Sequence, residues 1–250
     1  MYFGLSEDQI FFQDNVKKFL EDQLTLDTVR KITEGEDDLA KEELHKGLIN
    51  LGINNILVPE EYGGLGLDLL FATAVSQSLG EGVATLPFLG PYILAPTAIK
   101  YGASDSQKEK LFADMSQNLI NFGIGFSEYF GSRDSSGLNI SDNKVTGKTL
   151  FVLDTDFASH VMIADNKGQI GIVSLDSNDI EMIDLTTVDK TRTYKEMHFS
   201  DTPIEILDKT KSSSFAIEMA LDAGRIIAAA DSLGASQAMI NKAVEYSKER

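Results

Sequence analysis

The spacing of apolar residues changes twice along this chain, and that change restricts the fold class. Residues 1–118 carry apolar side chains at helical intervals. Residues 119–210 break into short runs separated by turn residues, a pattern typical of strands. The helical interval returns over residues 211–250. We therefore predict a multidomain α+β fold with an N-terminal helical domain, a middle antiparallel β-domain and a C-terminal helical segment.

Two helix starts carry a reciprocal capping signal. Ser6 is followed three residues later by Gln9, and Ser104 is followed by Gln107. A serine hydroxyl at the N-cap accepts a hydrogen bond from the third helical residue, whose side chain reaches back to the N-cap N–H. The spacing predicts helices that begin directly after each serine.

Two further helices are expected between these starts. One follows the charged loop at residues 34–38, with leucines at helical spacing. The next is rich in alanine, is capped by Asp68 and is expected to end at Gly80. The segment 58–68 between them, "VPEEYGGLGLD", combines a proline with three glycines, which favours a turn-rich connector.

The middle region contains signals for hairpins. "LNISDNKVTGKTLFVLD" is expected to turn at Asp142-Asn143, and "HVMIADNKGQIGIVSLD" at residues 166–168. In "YKEMHFSD" the side chains alternate, which places Met197 and Phe199 together on the apolar face of a strand.

The last segment reads as one long helix with an apolar stripe. The stripe consists of Phe215, Met219, Ile226, Ala230, Leu233 and Ile240. Because helical stability comes mainly from packing such a face, we expect this helix to need partner helices.

The composition excludes several classes of function. The net charge is −17, so the surface repels nucleic-acid phosphates and anionic membranes. There is no cysteine, which excludes disulfides and thiolate sites. The first residues lack the pattern of a signal peptide, and no apolar run reaches the roughly 20 residues of a membrane span. We expect a cytoplasmic protein without a membrane span.

The residues taken alone indicate no reaction. The three histidines His45, His160 and His198 are not at ligand spacing, so we predict no metal site and structural or solvated roles for them. There is no GxSxG, GxGxxG or Walker pattern. Adjacent Glu60 and Glu61 point apart and are expected to be a polar loop entry.

Five segments in register resemble the acyl-CoA dehydrogenase family. They are "LHKGLINLGINNILVPEEYGGLGLD", "YGASDSQKEKLFADM", "FSEYFGSRD", "VTGKTLFVLDTDFASHVMIAD" and "LDAGRIIAAADSLGASQAMINKAVEYSKER". The resemblance implies an N-terminal helical domain, a middle β-domain and a C-terminal four-helix bundle, of which this chain holds the first helix. Family members continue beyond this point, so the chain is expected to be truncated or to be a short form that needs another chain.

The resemblance also implies FAD as cofactor and an acyl-CoA as substrate. The positions that match the family's flavin contacts are Phe126, Ser127, Phe151, Val152, Leu153 and Arg250. Ser127 stands for a threonine at the flavin pyrimidine edge, Phe151 for a tryptophan packed on the flavin, and Leu153 for a threonine near N5. Ser132 is the candidate for the serine that contacts CoA.

The implied reaction is α,β-dehydrogenation, in which a carboxylate removes the α-proton and the β-hydride passes to flavin N5. In most members the base is a glutamate late in the bundle, so it is expected to lie outside this chain. In some members it lies on the first bundle helix, where this chain has Gly224, so we name no catalytic residue. Implied partners are an electron-transfer flavoprotein or similar acceptor and further subunits, identical or unlike. The phenylalanine and leucine at 151 and 153 resemble a divergent, heteromeric branch. Two alternatives stay open: a non-catalytic partner subunit, and a flavin oxidase or monooxygenase.

Overall fold

The computed structural model describes residues 4–249. Helices form the first part of the chain, and a short 3₁₀ or π turn precedes several of them. Their bounds are α1 Glu7–Gln23, α2 Leu26–Thr33, α3 Asp38–Asn50, α4 Leu69–Glu81, α5 Ala95–Gly102 and α6 Asp105–Ser116. Short turns lie at Ile53–Asn55 and Glu60–Tyr62, and a π turn at Gly90–Leu94 leads directly into α5.

Both predicted capping boxes are present. The Ser6 hydroxyl accepts the Gln9 N–H at 3.2 Å, and the Gln9 side chain accepts the Ser6 N–H at 2.9 Å. The Ser104 N–H donates to the Gln107 side chain at 3.1 Å in the same arrangement. One helix was not predicted: α2 has only eight residues and begins after the N-cap Thr25.

Helix α4 begins where predicted but runs past its expected end. Asp68 caps it through the Phe71 N–H at 2.9 Å. The prediction that Gly80 ends α4 is wrong, because the helix continues to Glu81 and caps at Gly82. Gly80 instead lies against the backbone carbonyl of Asp231, where a Cβ atom would collide with that oxygen. This glycine therefore permits close packing of two helices.

Eight strands form one sheet in the order β6-β7-β3-β1-β4-β5-β8, with β2 pairing β3 beside β1. The strands are β1 Phe122–Gly125, β2 Gly137–Ser141, β3 Lys144–Leu153, β4 His160–Ala164, β5 Ile170–Ser174, β6 Ile180–Asp184, β7 Tyr194–Pro203 and β8 Glu205–Ile206. The prediction of an antiparallel sheet needs a correction. β1 and β4 pair in parallel, with Phe122 opposite His160, so the sheet is mixed. The parallel pair arises because the long β2–β3 hairpin lies between these two strands in sequence.

The predicted hairpins are confirmed. Asp142 and Asn143 have φ values of 51° and 56° and join β2 to β3, and the turn at residues 166–168 joins the antiparallel pair β4 and β5. Met197 and Phe199 are both buried on one face of β7. They belong to a core on one side of the sheet, together with Val145, Val152, Val161, Ile163, Val173 and Ile204.

Helix α7 (Phe215–Lys248) follows the sheet and packs against α4 and α5. Gly234 lies against the backbone carbonyl of Gln77 in α4, as Gly80 lies against that of Asp231. The buried side of α7 holds Ala216, Ile217, Ala220, Ala223, Gly224, Ile227 and Gly234. The predicted stripe faces away from this side, and Ile226, Leu233 and Ile240 are each about half exposed.

Candidate functional site

The candidate site lies on one edge of β3, in a gap between two neighbouring strands. Along this edge β2 pairs as far as Lys148, and β1 pairs at Leu153. The residues between them have no strand on that side. A 3₁₀ turn at Ser127–Phe130, directly after β1, fills the gap. The structure thus brings together two segments that the sequence analysis matched separately to the flavin.

Phe151 lies in the gap, on a β-bulge. On the opposite edge of β3 the register shifts between Thr149 and Val152, so two residues of β3 oppose one residue of β7. Phe151 has φ 55°, a conformation that disfavours bulky residues by about 1–2 kcal/mol. Its side chain is nevertheless 44% exposed rather than packed in the core. An exposed aromatic ring on a strained backbone is an arrangement found at ligand sites.

Ser127 binds the backbone of β3 beside this bulge. Its hydroxyl donates to the Leu150 carbonyl at 2.5 Å. Glu128, which is only 2% exposed, accepts the Leu150 N–H at 3.3 Å and the Ser136 hydroxyl at 2.7 Å. Both backbone groups of Leu150 that point into the gap are therefore satisfied by side chains.

The other predicted contacts differ in accessibility. Phe126 is buried beneath the turn, and Val152 is fully buried in the core of the sheet, so only its backbone can face a ligand. Leu153 is half-buried at the end of β3, and Ser132 is exposed in the loop before β2. Arg250 lies outside the described residues.

A cavity of about 220 Å³ adjoins Leu153 and separates the end of the sheet from α7. Its apolar lining includes Leu89, Leu153, Ile227 and Ala228, and its polar lining includes Asp154, Arg192, Tyr194 and Asp231. Arg192 joins three segments here: it donates to the Leu86 carbonyl at 2.8 Å and pairs with Asp231 of α7 at 3.5 Å.

Asp154 is the buried carboxylate of this cavity. It is 5% exposed, and its Oδ2 accepts the Gly90 N–H at 2.7 Å. Burial raises the pKa of Asp154 to about 6, although the positive charge of Arg192 and the Gly90 hydrogen bond act in the opposite direction.

Neither a metal site nor a membrane span is found in the part of the chain that the structure describes. No group of three or more histidine or acidic side chains within residues 4–249 is placed to hold a metal ion. No helix among those residues is long and apolar enough to cross a bilayer. The three histidines have other surroundings: His45 bonds the Tyr92 hydroxyl at 2.9 Å, His160 bonds Ser159, and His198 bonds Glu196.

Comparison with known proteins identifies the relationship. Residues 6–118 match the family model "Acyl-CoA dehydrogenase, N-terminal domain". The chain is related to the acyl-CoA dehydrogenases. A short-chain-specific acyl-CoA dehydrogenase of Megasphaera elsdenii is 27% identical over the whole chain, which covers 71% of that protein. A 3-(aryl)acrylate reductase of Clostridium sporogenes is 25% identical, over 83% of this chain and 61% of that protein.

The fold is that of the acyl-CoA dehydrogenases. A solved glutaryl-CoA dehydrogenase in complex with glutaryl-CoA superposes on the whole chain with a TM-score of 0.83 at 21% identity. The chain covers 69% of that structure and 61–71% of the two relatives above. It therefore corresponds to part of the length of these proteins.

Gly224 on α7 is the position that the family resemblance matches to the base of some acyl-CoA dehydrogenases. Gly224 is buried, and a Cβ atom there would lie 2.7 Å from Cδ2 of Leu94. A side chain at this position would therefore require the end of the Leu94 side chain to move.

Three residues of the site were missed by the sequence analysis: Glu128, Asp154 and Arg192. Glu128 lies in "FSEYFGSRD", one of the segments that resemble the family, and this was an available signal. Asp154 follows Leu153 directly, but its burial depends on Gly90, 64 residues earlier. Arg192 lies in a loop with no pattern of its own, so nothing in the sequence pointed to it.

Proposed function

We propose that this chain provides the flavin-binding edge of an FAD-dependent acyl-CoA dehydrogenase that oxidises the α,β bond of an acyl-CoA thioester. The observation that carries the proposal is the exposed, strained Phe151 beside Ser127, on the strand edge where the family resemblance places its flavin contacts. Related proteins support the cofactor, since an acyl-CoA dehydrogenase of Bacillus anthracis was solved with FAD and has this fold (TM-score 0.82, 15% identity, covering 98% of this chain and 45% of that one).

The residues at the edge of β3 suit an aromatic cofactor. The Phe151 ring offers an apolar face for stacking. Ser127 already donates to Leu150, and its oxygen keeps a lone pair that can accept a hydrogen bond from a ligand N–H. The backbone of Val152 is the next polar group along the strand. Leu153 has no donor, so it contributes an apolar wall and not a hydrogen bond at this edge.

FAD, when bound, accepts a hydride from the substrate. The chain's part in such a reaction is positioning and exclusion of water. Leu153, Ile227 and Ala228 line the cavity next to the proposed flavin edge, and an apolar wall strengthens the electrostatic interactions within it. No base is assigned in this chain, because Gly224 carries no side chain.

The test is FAD binding by the purified chain, measured by quenching of flavin fluorescence. Phe151→Ala removes the stacking face and is expected to raise the dissociation constant about two- to tenfold, since an aromatic pair contributes roughly 0.5–1.5 kcal/mol. Phe11→Ala is the matched control, because Phe11 is an exposed phenylalanine on α1. Equal effects of the two changes, or no FAD binding at all, would contradict the proposal.

A second candidate, a non-catalytic partner subunit, is favoured by one observation. Leu94 fills the space beside Gly224, so this chain cannot carry a base there without rearrangement. The measurement that bears on both candidates is anaerobic addition of acyl-CoA to the FAD-loaded protein. Bleaching of the oxidised flavin excludes the non-catalytic subunit. A stable spectrum is expected of any chain that supplies no base, so it does not separate the two candidates.

The remaining contacts are proposals of the same kind. We propose Ser132 for the CoA moiety and Arg250 for the FAD pyrophosphate. An electron-transfer flavoprotein is the proposed electron acceptor, supported by the caffeyl-CoA reductase–Etf complex subunit CarC of Acetobacterium woodii, which is 21% identical over the whole chain and 70% of that protein. Assembly with further subunits is proposed on the same family relationship.

A further inference from the structure

The gap in β3 is closed by side chains and not by a strand. On this edge of β3, Lys148 pairs with β2 and Leu153 pairs with β1. The backbone of Leu150 lies between them and faces the turn after β1 instead of a strand. Leu150 is 8% exposed, so water cannot easily replace a lost partner. Its N–H and C=O therefore depend on Glu128 and Ser127.

Glu128 connects all the polar groups of this gap. One oxygen, Oε1, accepts the Leu150 N–H at 3.3 Å and lies 3.3 Å from Oγ of Ser127, whose one hydrogen is donated to the Leu150 carbonyl. The other, Oε2, accepts the Ser136 hydroxyl at 2.7 Å, and Ser136 in turn accepts the Arg133 N–H at 2.9 Å. No cationic side chain pairs with Glu128 among residues 4–249. Its carboxylate is thus held by neutral donors, each of which orders a part of the gap.

Phe151 needs such support. Its left-handed conformation persists only if its neighbours over-determine it. On one side, Val152 is fully buried and pairs with Lys195 of β7. On the other side, Leu150 is held at both of its backbone groups by Glu128 and Ser127. If one of these anchors is lost, the backbone can relax toward negative φ, and the ring then leaves its present direction.

We propose that Glu128 is a positioning residue for the flavin edge, which keeps Phe151 in its strained conformation by accepting the Leu150 N–H while Ser127 holds the Leu150 carbonyl. This inference rests on the proposed function, because the flavin is what Phe151 and Ser127 would contact. Glu128 itself touches no ligand, and it acts through the two residues beside it.

The first test follows the position of residue 151 without any cofactor. The chain contains no tryptophan, so Phe151→Trp introduces a single fluorescent reporter at the bulge. Glu128→Ala and Glu128→Gln are then compared in this background. We expect the reporter to lose anisotropy and to become more accessible to acrylamide, most in Glu128→Ala. Glu128→Gln should be intermediate, because its carbonyl oxygen can still accept the Leu150 N–H while its NH₂ group meets the Ser136 hydroxyl.

Thr210→Val is the matched control for a general loss of stability. Thr210 is 3% exposed, and its hydroxyl bonds the Ile170 N–H and the Leu207 carbonyl, away from β3. This change should lower the melting temperature and leave the reporter unchanged. The inference is overturned if both Glu128 variants keep the parental fluorescence, or if Thr210→Val moves the reporter as much as they do.

The second test measures FAD binding with Phe151 in place. Glu128→Gln should weaken it about tenfold, which corresponds to about 1.4 kcal/mol. If the reporter moves but FAD affinity stays the same, the proposed role at the flavin edge is wrong. If the parent chain binds no FAD, the proposed function fails, and the fluorescence still decides whether Glu128 positions residue 151.

Discussion

The substitution Asp154→Asn should make this protein more stable at neutral pH. Asp154 is 5% exposed, and its Oδ2 accepts the Gly90 N–H at 2.7 Å. An asparagine has nearly the same shape, and its carbonyl oxygen can accept the same hydrogen bond. The change therefore removes a buried charge while the packing around the cavity is kept.

The magnitude follows from the pKa of Asp154. Burial raises this pKa from 3.8 to about 6. Each unit corresponds to about 1.4 kcal/mol, so the ionised form disfavours folding by up to about 3 kcal/mol. Because the folded pKa is raised, the penalty is absent below pH 3.8, grows as the pH rises to about 6, and is constant above that value. We expect a gain of about 1–3 kcal/mol at neutral pH, since the new NH₂ group needs a partner of its own.

The assay is urea unfolding of both proteins at several pH values between about 4 and 8. The gain in unfolding free energy should be smaller at the acidic end by up to about 3 kcal/mol, because only the NH₂ cost remains there, and it should level off above pH 6. Asp14→Asn, at an exposed carboxylate on α1, is the control and should change stability by less than about 0.5 kcal/mol. An Asp154→Asn protein that is less stable than its parent above pH 6, or a gain that does not vary with pH, would refute this reasoning.

Two further predictions concern the helices. His45 is buried, and its burial, together with the positive charge of Lys41, lowers its pKa from 6.5 to about 4. The unfolded chain therefore takes up a proton that the folded state does not, and the free energy of unfolding should fall by about 2 kcal/mol from pH 7 to pH 5 relative to His45→Gln. Equal losses in urea unfolding of the two proteins would contradict this. Gly234→Ala should destabilise the protein by about 1–3 kcal/mol in thermal unfolding, because the added Cβ meets the Gln77 carbonyl of α4, although alanine is the better helix former. Ser236→Ala, on the exposed side of the same helix, should stay within about 0.5 kcal/mol, and a similar loss in both variants would argue against the close contact.

Features set by neighbouring residues were predictable from the sequence. The capping boxes at Ser6 and Ser104 join residues three positions apart, and the hairpin at Asp142-Asn143 needs only its own turn. Helix α2 was missed because its apolar pattern extends over only eight residues. In each of these cases the strength of the local pattern decided whether the element could be predicted from the sequence.

Features set by distant contacts were not predictable in the same way. Gly80 has the appearance of a helix end, and only its contact with Asp231, 151 residues later, explains why the helix continues past it. The parallel pairing of β1 with β4 also depends on tertiary structure.

In the candidate site, too, some features were predictable from the sequence and others depend on distant contacts. The resemblance selected Ser127 and Phe151, and the structure places them on either side of Leu150. Their contact with a flavin stays a prediction. The bulge at Phe151 depends on the pairing of β3 with β7, and the proposed role of Glu128 depends on a hydrogen bond across 22 residues. No spacing rule describes either contact.

Asp231 of α7 contacts both helix α4 and the loop between β6 and β7. Its backbone carbonyl lies on Gly80 of α4, and its carboxylate pairs with Arg192, which also holds the Leu86 carbonyl. A rotation of α7 about its own axis would break the helix contact and the ion pair together. The walls of the cavity beside Leu153 are therefore coupled, and we expect the cavity to select ligands by its fixed size and not by adjusting to them.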